Sequence, residues 1–208
     1  MNDINRLLYR LAIITMAIFL SSTAQAQCSA TDAQIEGPFY RGGSPELNNL
    51  RVAGDGPLLT IQGRVLDTDC QPIPYCWVDV WHADTNGDYD NASPAYLYRG
   101  NFLTDERGNF ILHTIVPGLY PGRTPHLHFK VEGDNTPLLT TQLYIPGHPL
   151  NATDGFYDPS VEMTLIDTLP SGELITSFDF HMPSTCTAPT VQVDPLSTSF
   201  RPGDSATL

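Results

Sequence analysis

The stretch GLYPGRTPHLHFKV, residues 118–131, sets Tyr120, Arg123, His126 and His128 within nine positions of one another. In an extended strand, side chains two apart project from the same face. His126 and His128 therefore point together, while Leu127, Phe129 and Val131 point the other way to pack a core. Two imidazoles so placed can converge on one metal ion. His-x-His alone is a weak sign, found also in unrelated zinc and copper sites and as ordinary surface histidine. Tyr120 lies six residues upstream of His126, across a turn, PGRTP, able to fold the chain back over the start of the strand. A phenol becomes a ligand when a cation strong enough to lower its pKa from about 10 holds it as phenolate. Zinc sites draw on Cys, His and carboxylate. Histidine with phenolate is a hard nitrogen and oxygen donor set, suited to a hard trivalent ion and above all to Fe(III).

Such side chains need a rigid frame. The chain has 208 residues with 18 Pro and 16 Gly, a length that suits one domain and a composition punctuated by turns. Between the turns lie runs rich in Val, Ile, Thr and aromatics: LLTIQGRVLD (58–67), WVDVWHA (77–83), NFILHTI (109–115), HLHFKV (126–131), LTTQLYI (139–145) and LITSFDFHM (174–182). These predict strands. The only helix candidate is SVEMTLIDTL (160–169). Short strands at fairly regular spacing predict an all-β fold, an antiparallel sandwich in a single domain over 27–185, with long loops around a metal site. The tail 186–208 lacks a convincing apolar period and is expected to pack on the domain or fray.

The start of the chain reads as a targeting segment. Arg6 and Arg10 precede LAIITMAIFL and then small residues with AQAQ, which predicts a signal peptide over 1–26 cut after Ala26. The apolar run is about ten residues, whereas a membrane span needs about 20. A lipid anchor on Cys28 is the alternative, disfavoured by Gln27 at a position that calls for a small residue. Export to the periplasm or beyond is expected. Loss of Asp3, Arg6 and Arg10 takes the formal charge from -13 to -14. A field of that sign repels nucleic acid and anionic membrane surfaces, and neither is expected as a partner. In an oxidising compartment Cys28, Cys70, Cys76 and Cys186 read as two disulfides with three possible pairings.

Four ordered segments resemble the intradiol ring-cleavage dioxygenases over roughly residues 34–150. EGPFY (36–40) is similar to a motif near the start of the family's fold. VDVWHADTNGDY (78–89) matches its V-D-x-W-H-A-x-x-x-G-x-Y signature, and YRGNFLTDERGNF (98–110) its R-G-x-x-x-T-D-x-x-G segment. TIVPGLYPGRTPHLHFKV then matches T-I-x-P-x-x-Y followed by G-R-x-x-H-I-H, with Leu127 in place of Ile. The resemblance implies a non-haem Fe(III) held by Tyr89, Tyr120, His126 and His128. It implies a catechol-type substrate and O₂ as partners, with the ring cut between its two hydroxylated carbons to give a cis,cis-muconate-type product.

The same resemblance implies roles for single residues. Tyr120 is a base as well as a ligand, taking a proton from the substrate. Arg123 is a fixed cation beside the ring, its plainer reading being a salt bridge to one of the acidic residues. Gln142, in TTQ, lines the pocket or merely serves the sheet. His82 and Trp81 read as structural, and His113, His148 and His181 as ordinary strand and loop histidines. Tyr96 and Tyr98 are rivals to Tyr89 that fall after the G-x-Y position. The long helical segment with which the catechol-cleaving branch dimerises is not expected here, since only about ten residues separate the predicted cut from EGPFY. A homo-oligomer is possible without being implied. The contrasting functional class is an exported, non-enzymatic sandwich that binds catechol-type ligands or metal.

Overall fold

A computed structural model describes residues 27–184. The predicted signal segment and the tail from 185 onward lie outside the described residues. Among the described residues nine strands form two sheets. They are β1 (Leu58–Asp67), β2 (Trp77–Trp81), β3 (Arg99–Leu103), β4 (Asn109–Ile115), β5 (His126–Glu132), β6 (Leu139–Tyr144), β7 (Thr164–Thr168), β8 (Leu174–Ser177) and β9 (Phe180–Met182). One sheet runs β4-β1-β8-β7, with β9 also paired to β1; the other runs β3-β2-β5-β6. The all-β sandwich expected from strand spacing is the fold observed.

Alternation builds the core. Leu59, Ile61 and Val65 of β1 and Leu112 of β4 meet Val78 and Val80 of β2, Leu127, Phe129 and Val131 of β5 and Leu143 of β6, all fully buried. Each such side chain contributes roughly 1.5–3 kcal/mol of apolar burial. Because successive residues face opposite ways, packing this set inward drives His126, His128 and Lys130 of β5 onto the outer face of their sheet.

Three expectations need correction. Residues 160–169 are not helical: a single 3₁₀ turn, Pro159–Val161, is followed by β7. The β-branched Thr164, Ile166 and Thr168 suit a strand that pairs with β8, and one short segment gains little from helix formation alone. LITSFDFHM is two strands rather than one, because the pairing with β1 breaks off at Phe178. Its carbonyl comes so close to Gly63 that a Cβ there would lie 1.8 Å from the oxygen. Nor are all ladders antiparallel, since β8 and β9 both run parallel to β1. The cysteines also differ from the expectation of two bridges. Cys28 pairs with Cys70, while Cys76 is a buried free thiol donating to the Ile73 carbonyl; Cys186 lies outside the described residues.

Candidate metal centre

The outer face of β3-β2-β5-β6 carries the chemistry. Cross-strand register aligns Arg99, Trp81, His128 and Gln142 in one row, and sets His126 opposite Tyr144. All six side chains are buried, although all but Tyr144, which packs with the apolar core, lie outside it. Loops and the N-terminal segment cover them. The backbone N–H of Gln34 donates to the Thr140 carbonyl and that of Leu47 to Asn101. Below this row Tyr40 donates to the buried Asp79 carboxylate, and Lys130 pairs with Glu36 while lying over the Tyr40 ring. The EGPFY segment is thereby clamped over the histidines.

Two glycines bring the tyrosines together. The Asp84 carboxylate accepts the N–H groups of Asn86 and Asp88, closing a turn that ends at Tyr89. Gly87 in that turn has φ +86°, a region that strains any other residue. A Cβ on Gly87 would lie 2.1 Å from the Leu119 carbonyl oxygen, and one on Gly118 would lie 2.2 Å from that of Thr85. The two loops therefore interlock, sealed by the Gly118 N–H donating to the Asp84 carbonyl. The Tyr89 and Tyr120 rings end 6.2 Å apart at 84°. Tyr89 Oη lies 3.5 Å from His126 Nε2, and its ring is 6.1 Å from that of His128. The two imidazoles are 4.9 Å apart. Phe39 stacks on Tyr89 at 4.5 Å and meets Tyr120 edge-on. Trp81 stacks on His128 at 4.9 Å and 9°.

Burial sets the protonation of these groups. Burial, reinforced by the nearby Arg123, lowers the pKa of His126 to about 4. His128 is held well below the usual imidazole value, again by burial and then by its neighbour His126. Both rings are thus neutral at physiological pH, as a metal ligand must be. His126 donates from Nδ1 to the Thr124 carbonyl at 2.7 Å, which leaves the Nε2 lone pair facing Tyr89. Burial pushes the Tyr89 phenol up to about 12, so only a strongly charged cation brings it to phenolate. Among the described residues no group of three His, Cys, Asp or Glu side chains converges. An ion held here must therefore recruit the phenols. Two neutral imidazoles with two phenols fit Fe(III), whose charge two phenolates largely offset.

Arg123 borders the same site. Its Nε donates to both oxygens of Asp154, at 3.0 and 2.8 Å, and Nη2 donates to Gln142 Oε1 and Tyr144 Oη. Burial opposes ionisation of Asp154, but the N–H groups of Phe156 and Thr124 with Arg123 outweigh it and lower its pKa. The plain ion-pair reading of Arg123 is thus correct as far as it goes, and the pair anchors the guanidinium beside the histidines. Gln142, the cross-strand neighbour of His128, also donates to the Ile35 carbonyl. His82 is hydrogen-bonded to Ala83 and Thr114 and His113 to Thr60. Tyr96 reaches the Gly42 carbonyl and Tyr98 packs on His82, so neither displaces Tyr89.

A sequence profile described as Dioxygenase matches residues 35–174. The chain belongs to the intradiol dioxygenase family. Among solved structures it is similar to the dioxygenase domain of a dioxygenase carbohydrate-binding protein fusion from Streptomyces sp. SirexAA-E. That domain is 39% identical at a TM-score of 0.70, over 75% of this chain and 99% of the other. It is also similar to 3-chlorocatechol 1,2-dioxygenase of Rhodococcus opacus 1CP, 28% identical at a TM-score of 0.66, over 83% and 77% of the two chains. The catechol 1,2-dioxygenase of Acinetobacter baylyi is 31% identical over 62% of this chain, which spans 50% of that protein's length.

Sequence reasoning passed over several residues that build this family member's site. Gly87 and Gly118 look like ordinary turn glycines until the two loops are seen in contact. Phe39 was visible only as part of EGPFY, and Trp81 as packing, which it is, although against His128 rather than in the core. Asp154 gave no sequence signal, lying 31 residues beyond the arginine it holds.

Proposed function

We propose that the protein is a non-haem Fe(III) dioxygenase that cleaves a catechol between its hydroxylated carbons, inserting both atoms of O₂ to give a cis,cis-muconate-type product. The observation that carries this reading is the approach of Tyr89 to His126, within a cluster completed by Tyr120 and His128, in a member of the intradiol family. When bound, ferric iron would supply a Lewis acid that the two catechol oxygens could chelate and that would draw electron density from the ring. Tyr89, Tyr120, His126 and His128 would hold it.

The remaining steps belong to the chain. Tyr120 is half-buried in the middle of the loop between β4 and β5, placed to accept a proton from a substrate hydroxyl at its phenolic oxygen. Arg123, fixed on two sides by Asp154 and Gln142, offers a preorganised positive charge to a ring that becomes electron-rich. Phe39, Trp81 and the clamped EGPFY segment exclude water from the histidines.

Of the basic groups around the site, Arg99 is buried and bonded to Asp90 and Asn91 behind the Tyr89 loop, and the other three are already engaged. Arg123 is paired with Asp154, Lys130 with Glu36, and Arg41 donates to the Ser93 carbonyl while lying over Tyr96. A ring carboxylate finds no spare partner among them, and the -13 formal charge of the chain opposes an anion. Neutral catechols are therefore the favoured substrates over protocatechuate. The Cys28–Cys70 disulfide supports a working place outside the cytoplasm.

The test is oxygen uptake with product identification on catechol, alkylcatechols, hydroxyquinol and protocatechuate. Ring-opened diacid with one O₂ consumed per catechol is expected, with protocatechuate the poorest substrate. Tight catechol binding without turnover in iron-loaded protein would instead favour a non-enzymatic binder.

A further inference from the structure

Arg99 opens β3, is 1% exposed, and stands where a strand facing an apolar neighbour would ordinarily carry an apolar residue. Its Nε donates to the Asp90 carbonyl at 2.7 Å and its Nη2 to Asn91 Oδ1 at 3.1 Å. These are the two residues that immediately follow Tyr89. Its Nη1 is buried with no partner among the described residues, and Arg99 forms no ion pair with a carboxylate there. The Asp90 carboxylate is turned to the Ser93 hydroxyl and the N–H groups of Ser93 and Leu97. On its other side Arg99 lies opposite Trp81, which lies opposite His128 and stacks on it. A buried guanidinium left short of partners is costly, and a well-packed apolar residue would serve stability as well.

We propose that Arg99 is a positioning residue of the metal centre: it tethers the chain just beyond Tyr89 and braces His128 through Trp81, so that phenol and imidazole face one point. This rests on the reading of Tyr89 and His128 as iron ligands. The tether is short because it holds backbone and side chain of adjacent residues with one planar fork, a geometry lysine cannot reproduce.

The test compares R99Q, R99K and N91A with R41Q, which loosens the far side of the same loop by freeing the Ser93 carbonyl and the Tyr96 ring. Two quantities are read on iron-loaded protein: the rate of iron release to a chelator and the strength of the visible phenolate-to-iron band. R99Q is expected to release iron at least about tenfold faster with a weakened band, R99K to fall between R99Q and wild type, and N91A to move in the same direction by a smaller factor. R41Q should match wild type in both. Wild-type values in R99K and N91A overturn the inference even if R99Q does not fold, as does a change in R41Q equal to theirs. Iron-loaded wild type without a visible band defeats the ligand reading itself, an outcome distinct from failure of the tether.

Discussion

The outer faces of the two sheets start from similar material and end differently. Each carries a histidine at an outward position, His113 on β4 and His128 on β5. On the β4-β1-β8-β7 sheet the outward Gln62, Arg64 and Ile111 are exposed, and His113 merely bonds Thr60, beside the Arg51–Glu173 pair. On the β3-β2-β5-β6 sheet the outward Arg99, Trp81, His128 and Gln142 are buried under the EGPFY segment and the tyrosine loops, and His128 is neutral, stacked on Trp81 and 6.1 Å from the Tyr89 ring. A strand histidine thus becomes a candidate ligand through what covers it. The cover, rather than the strand, makes the site.

That contrast is sharpest at single residues. H128A is expected to lower turnover by more than a thousandfold, as loss of a metal ligand should. Its effect on stability should stay within about 1 kcal/mol, since the ring leaves few hydrogen bonds unmade; steady-state oxygen uptake and denaturant melts on one preparation check both. F129A, next along the same strand but facing the core, should do the reverse. It should cost about 3–5 kcal/mol through the cavity it opens, while protein that remains folded keeps its iron.

Reducing the Cys28–Cys70 bridge, or replacing both cysteines by serine, frees a loop of 42 residues and should cost about 4 kcal/mol by loop entropy. The iron spectrum should not change, because the bridge lies away from the tyrosine loops. H113Q on the open face should shift stability by no more than about 1 kcal/mol and leave iron binding intact. An iron-free H113Q preparation would erase the distinction between the two faces. The smallest effect concerns Cys76. Burial raises its thiol to about 11, against a lesser lowering by Thr104, so thiolate is scarce at pH 8. Peptide mapping after iodoacetamide treatment of native protein should find Cys76 unmodified, and modified only after unfolding.

Much of this was legible in the sequence because two-residue periodicity is a local property. It predicted β1 and β4 end to end and showed that His126 and His128 share a face opposite Phe129. The matched motifs then supplied Tyr89. What stayed hidden depends on contacts between distant segments. The interlock of Gly87 with Leu119 and of Gly118 with Thr85 has no local signature, and neither has the hold of Asp154 on Arg123. β3 lay inside a quoted motif yet was missed as a strand, since Arg-Gly-Asn breaks the apolar pattern at its start. β7 was missed because both its faces are exposed, leaving no alternation to read.

The most direct measurement is a ferric titration of metal-free protein followed at visible wavelengths, in wild type, Y89F and Y120F. The account predicts one iron per chain with a broad phenolate band, weakened by each substitution. A colourless ferric protein, or a band that both substitutions leave unchanged, would contradict it.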